Sequence, residues 1–203
     1  FQTSDIDGRR EAQMHNIALH LRSGFGLDAG GDYTHYTTDN RRWMHAEYAD
    51  GNRNRFTLAG GQRIDRYNVY ADQKHKLSQG WNLGYGVSYT QTHNHDFQTY
   101  TEVEGDIATP STDSKLKEQT ADFYISLGKD YPSGISWSVS GTGEYYSIGN
   151  YRKWAFSPQA SRTYMKTPEH ILQLSLSTQK TYPGYWEMQS SVSYINGYSE
   201  IWG

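Results

Sequence analysis

The segment His93-Asn94-His95-Asp96 is the nearest approach to a metal site in this sequence. It offers two imidazoles and a carboxylate, which zinc and copper accept as ligands. The two histidines would share a face if the segment were a strand, because positions i and i+2 of a strand point the same way. We place the segment at a boundary between a strand and a loop, where it reads as solvated surface. The other six histidines show no ligand spacing, so we predict neither a metal nor a cofactor.

A second group of reactive side chains, Glu102, Glu104 and Asp106, could in principle supply a general acid and a general base. These carboxylates lie in a polar stretch rich in threonine, and nothing nearby would form the dry pocket needed to separate their pKa values. The sequence also lacks a nucleophile elbow, a phosphate-binding loop and a dinucleotide fingerprint. We therefore expect no catalytic residues and no enzymatic activity.

The strongest pattern in the chain is the alternation of apolar and polar residues over two segments. One face of the first holds Trp81, Leu83, Tyr85, Val87 and Tyr89, and one face of the second holds Ile135, Trp137 and Val139. A period of two residues indicates a strand with one dry and one wet face. The dry face is large and aromatic, whereas the wet face carries small polar residues. This combination is typical of the wall of a membrane-spanning barrel.

Similar patterns along the chain predict roughly eight long strands. Tight turns at Ser23-Gly24-Phe25-Gly26, Ser78-Gln79-Gly80, Pro132-Ser133-Gly134 and Thr167-Pro168-Glu169 connect them at one end. At the other end, residues 37–55 read as a long loop or a frayed strand extension, and residues 94–117 as a long polar loop. The predicted fold is all-β: an antiparallel up-and-down meander that is part of, or closes into, a transmembrane β-barrel. Residues 1–203 then form a single barrel segment.

The composition narrows the choice of protein class. Mean hydropathy is only -0.87, yet 18 Tyr, 6 Trp and 6 Phe argue against disorder. A net charge of -3 without a Lys/Arg block does not favour nucleic acid. No stretch approaches the ~20 apolar residues of a membrane helix, and no secretion signal begins at Phe1, so we interpret the chain as processed or excised.

Two sets of residues keep alternative interpretations open. Trp81, Tyr85, Tyr89 and Trp137 could form an aromatic belt at a membrane interface, a platform for stacking sugars, or the core of a soluble sandwich. The charged residues of the wet face would line an aqueous lumen, contact a plug, or form the solvent face of a soluble sheet; they are Arg22, Asp28, Asp32, Arg66, Asp72, Lys74 and Asp122.

The C-terminal region carries a more specific signal. Its features follow in order: Pro168 and His170, a strand through Leu176, Lys180, Tyr182-Pro183-Gly184-Tyr185-Trp186, Tyr194, Tyr198 and Gly203. This order resembles the barrel region of the TonB-dependent-receptor-like outer-membrane β-barrel proteins that are abundant in Bacteroidetes. In that family an arginine is commoner at the place of Lys180, and an Asn-Pro pair follows the place of Gly203. The resemblance implies a larger barrel, with a plug domain upstream and further barrel strands downstream.

The leading hypothesis is therefore a segment of an outer-membrane barrel that takes part in uptake of a nutrient or another ligand in the bacterial outer membrane. Its partners would be outer-membrane lipid, a plug domain and further strands of the parent chain, and an extracellular ligand that the sequence does not identify. One alternative is a soluble all-β carbohydrate-binding module. Another is a self-contained eight-stranded structural or adhesive outer-membrane barrel.

Overall fold

A computed structural model describes residues 3–105, 111–167, 170–178, 192–194 and 200–202. Eight antiparallel strands form one sheet in chain order: β1 Thr3–Arg22, β2 Leu27–Glu47, β3 Arg53–Lys76, β4 Trp81–Glu104, β5 Thr112–Asp130, β6 Ile135–Ile148, β7 Tyr151–Thr167 and β8 His170–Ser177. A separate two-stranded sheet pairs β9 (Val192–Tyr194) with β10 (Glu200–Trp202). The prediction of an all-β meander of about eight long strands is confirmed.

The larger sheet is open. Strands β1 and β8 occupy its two edges, and neither has a second neighbour within the described residues. The only helical element there is a 3₁₀ turn at Ser78–Gly80. In the described part of the chain, no helix has the length and apolarity that crossing a membrane requires.

The hairpins extend well beyond the strands that hydropathy indicated. Residues 37–47 pair continuously with residues 53–63, so the interpretation of residues 37–55 as a strand extension is correct and the interpretation as a long loop is wrong. The long loop expected at residues 94–117 is also wrong, since β4 runs to Glu104 and β5 starts at Thr112. Ladder hydrogen bonds need only the backbone, so a strand can continue where both of its faces are polar.

Four hairpin connections share one five-residue pattern, with glycine in fourth place. They are Ser23–Leu27, Tyr48–Asn52, Leu77–Trp81 and Tyr131–Ile135. In each, the N–H of the first residue donates to the carbonyl of the fifth over 2.8 to 2.9 Å. The fourth residue has φ between 77° and 93°, a left-handed conformation that glycine adopts at little cost. The short turns predicted at Ser23, Ser78 and Pro132 are thus confirmed.

A small buried cluster lies near one end of the sheet, not at its centre. Met44, Phe56 and Tyr100 are its buried members, and Leu58 packs against them. The rings of Phe56 and Tyr100 meet edge to face with their centroids 5.3 Å apart. Most large apolar side chains of the sheet lie outside this cluster and are exposed. The described residues therefore do not form the core of a two-layer sandwich.

Candidate membrane surface and the opposite polar face

One face of the sheet carries a continuous apolar surface, which we call the apolar band. Cross-strand register aligns its residues in rows, such as the row formed by Leu21, Ala29, Ala71, Val87 and Phe123. In the interior strands, Val87 is 52% exposed, Phe123 53% and Ile125 50%. The main members of the band are Leu19, Leu21, Val69, Leu83, Val87, Phe123, Ile125, Leu127, Val139, Phe156, Leu172, Leu174 and Leu176.

The opposite face, which we call the polar face, is the more sheltered of the two. On β4, Gly84 and Gly86 are buried, while Tyr85 and Val87 next to them on the apolar face are exposed. The same alternation continues on β5, where residues 122, 124 and 126 are half-buried and residues 123, 125 and 127 are exposed. The sheet therefore curves toward its polar face. A soluble sheet has the reverse arrangement, with its apolar side chains covered.

Aromatic and basic side chains mark the end of the apolar band at the short turns, and we call this group the lower aromatic row. Trp81 and Trp137 pack edge to face with their ring centroids 5.6 Å apart. The Lys129 Nζ lies 4.8 Å from the Trp81 ring centroid and 5.0 Å from that of Tyr131. Amphipathic rings and a lysine that extends its ammonium group past them suit the boundary between hydrocarbon and water.

A second group of rings, the upper aromatic row, marks the other end of the band. Tyr33 and Tyr67 stack with centroids 4.9 Å apart, and Tyr145 and Trp154 lie 4.8 Å apart, with Tyr89 on the strand between these pairs. The upper aromatic row lies about ten residues from Trp81 along β4, a distance of about 33 Å along the strand. A tilt of about 45° reduces this to a height of about 23 Å, close to the ~25 Å apolar band of outer-membrane barrels.

The four aromatic residues singled out in the sequence do not form one belt. Trp81 and Trp137 belong to the lower row and Tyr89 to the upper row, so the rings lie at two levels. Tyr85 lies between the rows, opposite Gln73 and Ile125, and its hydroxyl is 3.3 Å from Nε2 of His75. The interpretation of all four as one belt is therefore wrong: Tyr89 lies at the other level and Tyr85 at neither, because period two fixes a face and not a height.

The charged residues expected to share a face do so. Their register places Arg22, Asp28, Asp32, Arg66, Asp72, Lys74 and Asp122 together on the polar face. Asp28 is the centre of one network there: its carboxylate lies 2.7 Å from His20 Nε2, accepts from Arg22 at 2.9 Å and accepts from the Tyr70 hydroxyl at 3.3 Å.

Adjacent rows extend this polar face across the sheet. The Asn68 amide donates to Asp32 over 2.9 Å, and its carbonyl oxygen accepts from Thr90 over 3.0 Å. In the next strand pair, the Ser88 hydroxyl donates to Asp122 over 3.0 Å. The carboxylates therefore engage neighbouring donors. A strip of connected polar side chains of this kind suits an aqueous interior.

A glycine allows two side chains of the polar face to meet across an intervening strand. Asp72, Gly86 and Tyr124 occupy one row on β3, β4 and β5. A Cβ atom at Gly86 would overlap with Oδ1 of Asp72 and with the Tyr124 ring, which form a side-chain hydrogen bond above it. The absence of a side chain at Gly86 is therefore what permits this contact.

The side chains of the segment His93–Asp96, the nearest approach to a metal site in the sequence, do not converge on one point. The segment lies inside β4, not at the boundary expected from the sequence. His93 and His95 share the apolar-band face as predicted, but His93 Nε2 contacts the Gln91 amide at 2.7 Å and His95 Nε2 contacts Asp113 at 2.6 Å. Asp96 lies on the polar face. Within the described residues, no group of three His, Cys, Asp or Glu is arranged to hold a metal ion.

The acidic group near Glu102 is also dispersed. Glu102 accepts from the Thr57 hydroxyl over 2.6 Å and has a positive φ of 54°, at a place where the register of β3 and β4 shifts. Glu104 lies opposite Arg55 in the register of β3 and β4, but the Arg55 guanidinium lies 4.0 Å from the carboxylate of Glu102. Asp106 lies outside the described residues, as do Pro168, Lys180, residues 182–186, Tyr198 and Gly203 of the C-terminal pattern.

Sequence reasoning missed a cluster beyond the upper aromatic row. The Asp65 carboxylate accepts from the Tyr33 hydroxyl at 2.6 Å and contacts His35 Nδ1 at 2.8 Å. These two contacts hold the pKa of Asp65 below its ordinary value. The contributing residues are about 30 positions apart in the chain, so only the register of β2 against β3 brings them together. The spacing along the sequence gave no signal for this cluster.

Comparison with protein-family models gives no match to this chain, and comparison with curated proteins gives none either.

Proposed function

We propose that this chain is a wall segment of a TonB-dependent-receptor-like outer-membrane β-barrel and takes part in ligand uptake across the bacterial outer membrane. The observation that carries the proposal is the inverted sheet: the large apolar side chains are on the exposed face and the small polar ones on the sheltered face. An apolar surface of this extent is unfavourable in water, and contact with lipid hydrocarbon removes it from water.

The two aromatic rows support the same proposal. They limit an apolar band about 23 Å high, close to the ~25 Å height of the apolar band on outer-membrane barrels. A carbohydrate-binding platform would need rings gathered around one concave site. Here the rings form two separated rows on the convex face.

The polar face would then line the interior of the completed barrel. Beyond the upper aromatic row, strands β1 to β4 continue this face into an open groove of about 480 Å³. Its lining includes Arg10, Asn40, Arg42, Gln62 and Gln98. Amide and guanidinium groups in a wet groove can bind a polar ligand, so this part of the wall is where we place ligand capture.

A site-directed spin-label scan of β4 tests the proposal in the full-length protein reconstituted into lipid vesicles. This chain contains no cysteine, so a single cysteine introduced at any of positions 83–90 is the only labelling site within it. Oxygen partitions into hydrocarbon, whereas a nickel chelate stays in water. We expect labels at 83, 85, 87 and 89 to collide preferentially with oxygen and labels at 84, 86, 88 and 90 to collide less with oxygen, with period two.

Labels at Phe97 and Thr99 are the matched control, since both lie on the same face of β4 as Val87 but beyond the upper aromatic row. These two should collide with the nickel chelate. A soluble module would give either no oxygen preference at position 87 or labels at 83–89 shielded from both reagents, and either result would overturn the membrane assignment.

A further inference from the structure

A group of basic side chains lies on the apolar-band face just beyond the upper aromatic row. Register places Arg63, His95 and Lys115 in one row and Asp65, His93 and Lys117 in the adjacent row. We call Arg63, His93, His95, Lys115 and Lys117 the cationic patch. All except His95 are exposed. Their side chains therefore point toward whatever surrounds the barrel, not into its interior.

The height of the patch places it among lipid headgroups. Lys117 and His93 come two residues beyond Gln119 and Gln91, or about 7 Å along the strand and about 5 Å along the membrane normal. The second row, with Arg63 and Lys115, lies about 10 Å above the same level. The headgroup layer occupies roughly 5–8 Å on each side of the hydrocarbon core. The lower row therefore falls in this layer, and the upper row lies about 2 Å beyond it, where the long Arg63 and Lys115 side chains can reach down to the headgroups.

The acidic residues near the patch are already engaged. Asp65 contacts Tyr33 and His35 on its β2 side, and Asp113 contacts His95 at 2.6 Å. Among the described residues, Arg63, Lys115 and Lys117 form no ion pair, although Arg63 lies 5.7 Å from the Phe97 ring centroid. These three exposed cations near headgroup level thus have no protein counter-ion among the described residues. Anionic groups of the surrounding lipid complement them.

Directly beneath the patch, half-buried amide side chains form a hydrogen-bonded group. The Gln119 amide donates to Oε1 of Gln91 over 3.2 Å, and that same oxygen accepts from the Tyr89 hydroxyl over 2.9 Å. Below these lie Val87 and Phe123 of the apolar band. From top to bottom, the surface therefore presents cations, then amide and hydroxyl groups, then apolar side chains. A phosphorylated glycolipid has a matching order of groups: phosphates outermost, then sugar and amide groups, then acyl chains.

We propose that this surface binds a phosphorylated glycolipid of the leaflet on the side of the long hairpins, with Lys115, Lys117 and Arg63 contacting its phosphates. The proposal rests on the membrane orientation given under Proposed function. It assigns a specific lipid chemistry to one sector of the wall, whereas the remaining apolar band would meet acyl chains of any lipid.

Lipid titration of the detergent-solubilised full-length protein, followed by native mass spectrometry, tests this inference. The probe is a bis-phosphorylated glucosamine disaccharide lipid, compared with the same lipid after enzymatic dephosphorylation. We expect the wild type to bind the phosphorylated lipid more tightly than the dephosphorylated one. In the double variant Lys115→Gln/Lys117→Gln, the ratio of the two affinities should fall about tenfold. The control is Lys74→Gln/Lys76→Gln, which removes the same charge from the polar face and should bind as the wild type does.

Three results would overturn the inference. One is equal binding of both lipids by the wild type. Another is unchanged binding by the Lys115/Lys117 variant when its heat-modifiable gel migration shows it folded. The third is full competition by inorganic phosphate at equal concentration, which would show a general anion site. A variant that loses its fold is replaced by Arg63→Gln alone. The spin-label scan separately reports failure of the membrane assignment, so the two failures are distinguishable.

Discussion

Replacing Ile125 with arginine should lower the free energy of unfolding of the full-length protein in lipid vesicles by about 2–4 kcal/mol. Ile125 is 50% exposed, near the middle of the apolar band. In water, arginine at an exposed strand position would cost little. In hydrocarbon the guanidinium group loses its hydration, and outer-membrane barrels pay about this amount near the bilayer midplane.

The neighbouring residue provides the matched control. Ser126 follows Ile125 on the same strand but lies on the polar face, where its hydroxyl donates to the Gly84 carbonyl over 3.3 Å. Ser126→Arg adds the same charge at the same height and should cost less than about 1 kcal/mol, because in the proposed barrel the polar face lines a hydrated lumen. Urea unfolding in vesicles, followed by tryptophan fluorescence, measures both. Equal costs for the two variants would contradict an apolar band that faces lipid.

This asymmetry between neighbouring residues is the part of the fold that the sequence predicted best. The alternation from Trp81 to Thr90 assigns each side chain to a face without knowledge of its partners. The residues expected on the wet face, from Arg22 to Asp122, all fall on it because the antiparallel register maintains the faces across every strand. Face assignment is local, so hydropathy alone captures it.

Strand length was predicted less well, for a physical reason. Between Thr37 and Arg42 the residues of both faces are polar, so the alternation of hydropathy vanishes although β2 continues. The backbone ladder persists because hydrogen bonding between strands does not depend on side-chain polarity. Farther along these strands, the apolar residues Met44 and Phe56 lie on the polar face, opposite the apolar band. This reversal marks the part of the strands that we place outside the membrane.

Contacts between strands were the hardest feature to predict. The sequence placed His93 and His95 on one face, but their partners depend on which residues of β5 lie opposite them. The contact of His95 with Asp113 and the position of His93 beside Lys117 need the exact register of β4 against β5. A shift of one residue would place different side chains there. The cationic patch is likewise a property of register, since its members come from three strands.

The hairpin connections, by contrast, carry a signal that is readable from the sequence. In four of them glycine stands fourth of five residues, as in Tyr131-Pro132-Ser133-Gly134-Ile135. A turn that ends in the left-handed conformation selects glycine, and this fixes where the next strand begins. Turn position and face assignment together determine the register of each hairpin. The sequence therefore contained more register information than hydropathy revealed.

Substituting alanine for Gly134 should cost about 3 kcal/mol or more in the free energy of unfolding, because two effects combine there. Gly134 has φ of 77°, and a non-glycine residue in that conformation costs about 1–2 kcal/mol. A Cβ atom would in addition overlap with the carbonyl oxygen of Met165 on β7. That carbonyl belongs to the backbone, and the Met165 N–H donates to the Gly134 carbonyl over 2.8 Å, so relief requires the neighbouring strand to move.

Gly51 separates the two effects, since its φ of 83° is similar but a Cβ atom there would meet nothing within 4 Å. Gly51→Ala should therefore cost only the conformational strain of about 1–2 kcal/mol. Gly24→Ala adds a Cβ in open space at a residue without positive φ and should change stability by less than about 1 kcal/mol. Denaturant unfolding of the three variants in vesicles gives the order Gly134, Gly51, Gly24. Equal losses for Gly134→Ala and Gly51→Ala would show that contact between the turn and the next strand contributes nothing, and that strands pair independently of their turns.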